Sequence, residues 1–172
     1  MADSTNWHAP TSTGFLATVV LPGSKSLTNR ELVLSALAKS STRLISPLIS
    51  RDSRLMIQAL EALGTEFLWD GADLIVKPGT LAGPAKIDCG LAGTVMRFLP
   101  PLSLLATGEI SFDGDSGART RPMHTTIESL RALGANIAAE RPSLPFTVIG
   151  LGQVGGGELE IDGSDSSQFV SG

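Results

Sequence analysis

"PGSKSLTNRELVLSALA", residues 22–38, decides the reading because it comes back in altered letters as "CGLAGTVMRFLPPLSLLA", residues 89–106. Laying one over the other with Gly23 on Gly90 also sets Arg30 on Arg97, each pair 67 residues apart. A second pair of stretches agrees. "MIQALEALGTEF" (56–67) and "TIESLRALGANI" (126–137) place Gly64 and Gly134 70 residues apart, each after a helical leucine pattern and each suited to the left-handed residue that ends a helix. The chain therefore reads as a repeat of about 70 residues, the signature of one supersecondary unit used more than once.

Each copy predicts strand, helix, strand, helix and two short strands, an α/β fold with mixed sheets. In the first copy, about residues 15–84, these are "FLATVVL", a helix from about Leu27 on the spacing of Leu27, Leu34, Leu37 and Ala38, "TRLISPL", a helix from about Asp52 to Leu63, "TEFLW" and "DLIVK". The second copy, about 85–156, follows with "AKIDC", a helix from about Thr94, "EISFDG", a helix opened by Pro122, "NIAAE" and "FTVIG". From about residue 157, "GELEIDGSDSSQF" starts a third copy, with "GSDS" lying 140 residues after "GSKS" and Ser164 or Asp165 placed to cap a short helix. The expectation is two copies plus the start of a third, in the N-terminal part of a longer protein, behind a flexible terminus of residues 1–14.

The chain has 172 residues, and a folded chain of that size buries about 70% of its unfolded surface, so a core is affordable. Thirteen Lys and Arg against seventeen Asp and Glu leave a net charge of −4, which argues against a general nucleic-acid surface and confines any anion site to a local cluster. One cysteine, Cys89, with only His8 and His124 beside it, excludes an internal disulfide and leads us to expect no metal, in a reduced cytoplasmic setting. No apolar run approaches membrane-spanning length, and the opening residues lack a targeting pattern, so no membrane partner is expected.

The chemistry lies at helix mouths. Pro22, Gly23 and Ser24 deliver Lys25, Ser26 and Arg30 to the start of a helix, where free backbone N–H groups and the positive end of the dipole already attract anions. Cations are ordinarily favoured at the opposite helix end, so their presence here asks for an anion; a solvated lysine and an arginine paired to a carboxylate would satisfy the same letters. "DCGLAGTVMRF" (88–98) repeats the arrangement, with Gly90 and Gly93 allowing close backbone approach, although a mere compact turn fits as well. "GSDSSQF" brings Ser166, Ser167 and Gln168, which serine capping would also explain. "DSGARTRPMH" (115–124) adds Arg119 and Arg121, suited to forked contact with carboxylate or phosphate unless they are simply surface arginines. Repeat-related positions should bring these ends to one side, as one shared anionic pocket. The P-loop pattern fails because Ser24, not Gly, precedes Lys25, and no G-x-S-x-G accompanies His124, which reads as a surface or packing residue.

"LPGSKSLTNR", "SRDSRLMIQALEALG", "GLAGTVMR", "TRPM" and "DGSDSSQF", in this order, resemble the 5-enolpyruvylshikimate-3-phosphate synthase family from about Leu16 to the last residue. The resemblance implies two domains, each of three β-α-β-α-β-β units, with residues 15–22 a first strand and hinge toward the other domain and residues 23–172 an incomplete domain. It implies enolpyruvyl transfer from phosphoenolpyruvate to shikimate 3-phosphate in aromatic amino acid biosynthesis, with no cofactor. Lys25 would contact phosphoenolpyruvate, Ser26 and Arg30 would hold shikimate 3-phosphate, and Gly93, Thr94 and Arg121 would line the phosphoenolpyruvate site, where glyphosate sits in this family. Ser166 and Ser167 would bind the sugar-acid phosphate with Gln168 between the substrates, so Lys25, Arg121 and Gln168 carry the catalytic expectation. Many members have Asn where Leu91 stands and Pro where Phe98 stands. The related UDP-N-acetylglucosamine enolpyruvyl transferases usually carry a reactive Cys in the loop corresponding to "DGDSGAR", and this chain has none there; a noncatalytic anion-binding module of the same repeats is the reading from another class.

Overall fold

The computed structural model describes residues 10–164 and 166–171. Helix α1 spans Lys25–Ala36, where the Ser24 side chain accepts the Leu27 N–H at 3.3 Å and so caps the first turn. After the short strand β1 (Thr42–Leu44), α2 (Arg51–Ala62) opens on a reciprocal box in which Ser50 and Ser53 each accept the other's backbone N–H, at 3.3 and 2.7 Å. Two strands follow, β2 (Glu66–Asp70) and β3 (Asp73–Lys77). Then come β4 (Ala85–Asp88), α3 (Gly93–Ser103), β5 (Thr107–Asp113), a one-turn α4 (Ser116–Arg119) that the sequence pattern did not suggest, α5 (His124–Ala132), β6 (Asn136–Ala138), β7 (Phe146–Leu151) and α6 (Gln168–Ser171).

The glycine anchors behave as their spacing predicts. Gly64 stands at φ +109° and Gly134 at φ +91°. Around both, the N–H two residues beyond the helix returns to the carbonyl of Leu60 or Leu130, and the glycine N–H to that of Glu61 or Arg131, the double closure of a Schellman end. Surroundings differ, since a methyl group on Gly64 would stand 2.7 Å from the Thr80 carbonyl oxygen whereas one on Gly134 meets nothing within 4 Å. Gly134→Ala is therefore expected to cost about 1–2 kcal/mol through backbone strain alone, and Gly64→Ala distinctly more, by chemical denaturation of each variant. Equal losses would count against the Thr80 contact.

Two sheets form. One has the order β1-β3-β2 with both pairings antiparallel; the other has β4-β5-β7-β6, with β4 parallel to β5 and the remaining pairings antiparallel. The second sheet thus repeats the order of the first and adds one parallel strand at its edge. Burial alternates along β4 and β7, so one face carries the core and the other meets solvent. Helices α1, α2 and α3 cover the inner faces, and Leu32, Met56, Leu60, Met96, Leu99, Phe112 and Ile127 belong to one continuous apolar cluster.

Three differences from expectation stand out. Residues 15–21 form no strand and lie exposed, and residues 157–162 form none either, because a strand needs a neighbour to take its backbone hydrogen bonds and the described residues supply none. The serine that caps α6 is Ser166, whose Oγ accepts the Gln168 N–H at 3.2 Å, rather than Ser164; Asp165 lies outside the described residues. Finally, the leucines that announced α1 point outward, with Leu27 56%, Leu34 62% and Leu37 45% exposed. The buried face is Thr28, Asn29, Leu32, Ser35 and Ala36, a largely polar face held by hydrogen bonds to its neighbours.

Candidate functional site

Helices α1, α2 and α3 begin at the same end of the molecule. Lys25 Nζ in the first turn of α1 lies 2.9 Å from Asp52 Oδ2 in the first turn of α2. The Arg51 guanidinium beside it packs against Gly90, just before α3, and pairs with Asp115 at 2.7 Å. Asn29 Nδ2 donates to Thr94 Oγ1, joining the second turn of α1 to the first turn of α3. The N-terminus of α3 itself has no side-chain cap on Ala92, so no side chain there takes its leading N–H groups.

Gly93 is the focus. The position its missing Cβ would occupy lies 3.5 Å from Arg97 Nη1, 3.5 Å from Gln168 Oε1 and 3.6 Å from Arg121 Nη1. Arg97 Nη1 donates to Gln168 Oε1 at 2.7 Å, and its Cζ sits 4.8 Å from the centroid of the Phe169 ring, so the four-residue α6 is fastened to α3 through one arginine. Arg121 Nη1 donates to the Leu91 carbonyl at 2.8 Å. Burial pushes the Arg97 pKa down and the charge of Arg121 adds to the effect. Two guanidinium groups are thus held close together, and among the described residues neither pairs with a carboxylate.

The neighbouring Arg119 is already satisfied. Its Nε and Nη2 grip both oxygens of Asp113 at 2.9 and 2.7 Å, and this fork holds the Asp113 carboxyl below the usual range. Of the two arginines in the loop before α5, then, Arg121 is the one left for a ligand. His124 is exposed on α5, against Thr125. Cys89 is buried, and burial followed by the charges of Asp88 and Asp113 raises its thiol pKa to about 12, so it is no nucleophile at neutral pH. A broad groove elsewhere, lined by Lys86, Asp88, Asp113, Glu140 and Arg141, takes in none of the cluster around Gly93.

Of the expected site residues, Gly93, Arg121 and Gln168 are brought together. Lys25 is paired to Asp52, whereas the plain alternative in the sequence had the lysine solvated and the arginine paired to a carboxylate. Ser26 is exposed and its carbonyl accepts from Arg30 Nη1 at 3.3 Å; Arg30 lies over the Phe98 ring. Thr94 is 6% exposed with its hydroxyl taken by Asn29, Ser166 caps α6, and Ser167 is exposed beside it. Arg97 was missed as a site residue, although the repeat that set it on Arg30 carried the signal. Cations, an open helix terminus and an amide at this spacing suit a carboxylate or a phosphate.

No helix is long and apolar enough to cross a membrane among the described residues. A curated relative, the 3-phosphoshikimate 1-carboxyvinyltransferase of Kocuria rhizophila, is 51% identical over 178 aligned residues that cover 96% of this chain and 40% of the relative. The chain thus spans about 40% of that protein's length. Solved structures of EPSP synthase from Acinetobacter baumannii superpose with TM-scores of 0.80 and 0.79 at 24% identity, covering 89% and 88% of this chain and 36% and 35% of theirs, which shows the shared α/β fold. A family model matches residues 11–172, from just before the exposed segment through the cluster at Gly93 to α6, and the chain belongs to the EPSP synthase (3-phosphoshikimate 1-carboxyvinyltransferase) family.

Proposed function

We propose that the whole protein transfers the enolpyruvyl group of phosphoenolpyruvate to the 5-hydroxyl of shikimate 3-phosphate, releasing phosphate, and that this chain supplies one wall of the site. The observation that carries the reading is the convergence of Arg97, Arg121 and Gln168 on Gly93, cations brought together where a side chain is missing. In this reading Lys25, Gly93, Thr94 and Arg121 serve phosphoenolpyruvate, Ser26, Arg30, Ser166 and Ser167 serve shikimate 3-phosphate, and Gln168 stands between the two. The hydroxyl loses its proton and adds to the enol carbon as the methylene carbon is protonated; phosphate then leaves the tetrahedral intermediate as the new methyl group gives up a proton, restoring the double bond. The residues of this wall balance charge and orient; proton transfer falls to residues of the other wall. In the whole protein residues 15–22 gain a partner, pairing as a strand and serving as the hinge toward a second domain, residues 23–172 act as an incomplete domain of repeats, and the setting is cytoplasmic.

Turnover of the full-length protein with both substrates tests the reading, and absence of enolpyruvyl product overturns it. Within that protein, Ser166→Ala combined with Ser167→Ala removes two hydroxyls from the sugar-acid phosphate. The KM for shikimate 3-phosphate is expected to rise about tenfold while that for phosphoenolpyruvate changes little. Equal losses for both substrates would count against the assignment.

A further inference from the structure

We propose that Phe98 is a positioning residue for Arg30, and that with the Asn29–Thr94 hydrogen bond it forms a seam fixing the second turn of α1 against α3. The inference rests on the reading above, in which Arg30 holds the phosphorylated sugar acid. Among the described residues Arg30 pairs with no carboxylate, and its Nη1 reaches only the Ser26 carbonyl of its own helix at 3.3 Å. A guanidinium on so long a stem has many rotamers to lose when it meets a ligand. Beneath it lies Phe98, the ring centroid 5.2 Å from Arg30 Cζ and within cation–π range. Phe98 is 5% exposed, so packing holds the ring and the arginine adapts to it.

One residue back on α1, the fully buried Asn29 donates Nδ2 to Thr94, and Thr94 precedes Phe98 by one turn of α3. Residues 29 and 30 thus meet residues 94 and 98 along one line. Asn29 Oδ1 is buried with no partner among the described residues, a cost that leucine at this position would avoid. A buried amide retained under that penalty fits a role in register, and it commits the Thr94 hydroxyl to α1. Thr94 then acts on the site through the helix it fastens.

The test uses the full-length protein. Phe98→Leu keeps an apolar side chain and removes the ring face; the KM for shikimate 3-phosphate is expected to rise roughly threefold to tenfold, with kcat and the KM for phosphoenolpyruvate within twofold. Phe98→Tyr, which keeps the ring, should recover most of that rise. In an Arg30→Met background Phe98→Leu should add less than about twofold, because the ring acts through the arginine. A rise in both KM values together, or the full effect of Phe98→Leu persisting without Arg30, assigns the ring to packing and overturns the proposal. Should Phe98→Leu not fold, Phe98→Met replaces it. The Arg30 Nε–H proton resonance, moved by the ring in the parent and in Phe98→Tyr but not in Phe98→Leu or Phe98→Met, reads the contact without substrate, and an unmoved resonance sinks it. A parent protein that lacks turnover but shows that resonance pattern defeats the functional reading while leaving the contact in place.

Discussion

The 172-residue chain assayed by itself is expected to form no enolpyruvyl product from phosphoenolpyruvate and shikimate 3-phosphate, whatever the enzyme concentration. In the proposed function its residues make one wall, and a one-walled site leaves both substrates in water. There the field of Arg30, Arg97 and Arg121 is weakened several-fold by the high dielectric and by salt. In that proposal proton transfer also lacks its groups. Adding the separately produced remainder of the protein should restore part of the turnover, because repeat units contribute nearest-neighbour interfaces that can form between pieces. A discontinuous assay for the enolpyruvyl product, run with either piece and with both, decides the matter. Robust turnover by this chain alone would show that the proton-transfer groups lie within it.

Lys25→Met in the full-length protein is expected to lower kcat/KM for phosphoenolpyruvate by roughly 10- to 100-fold, the loss of one charge-assisted contact of about 1.5–3 kcal/mol. The response to shikimate 3-phosphate should stay within about threefold. The structure sharpens this expectation, since the exposed Lys25 is paired with the half-buried Asp52 at 2.9 Å and must exchange that partner for substrate. Asp52→Asn, which releases the lysine, is the matched control and should leave phosphoenolpyruvate use near parental. Loss of similar size in both variants would mean that the ion pair, rather than the lysine, supports the site.

Much of the fold was legible because it is written twice. Gly64 and Gly134 close their helices with the same pair of hydrogen bonds, and that equivalence was visible as two glycines after two leucine patterns. The sheets, with β1-β3-β2 matching β5-β7-β6, follow from the same repetition. Local letters could not tell which face of α1 turns inward, because Asn29 is held by Thr94, 65 residues away, and Thr28 by Leu48, 20 residues away, and periodicity counts only apolar residues. Strands at 15–21 and 157–162 were expected from β propensity, which is expressed only when a neighbouring strand is present. At the site, Arg121 and Gln168 were legible from motifs, whereas the choice between Arg119 and Arg121 needed Asp113 to be seen in place. Arg97 carried no cue beyond its alignment with Arg30.

The outward leucines of α1 also govern how the isolated chain behaves as a colloid. Leu27, Leu34 and Leu37 stand in water, β1 is an edge strand of its sheet, and Phe15, Leu16, Val19, Val20 and Leu21 are uncovered in the segment leading to the helix. Exposed apolar side chains and an unpaired strand edge are what neighbouring molecules adhere to, and a net charge of −4 is a thin electrostatic barrier that salt removes. Cold storage weakens apolar adhesion and warming strengthens it, so turbidity in a concentrated, salted solution should grow on warming well below the unfolding temperature, as a property of surface stickiness rather than of lost structure.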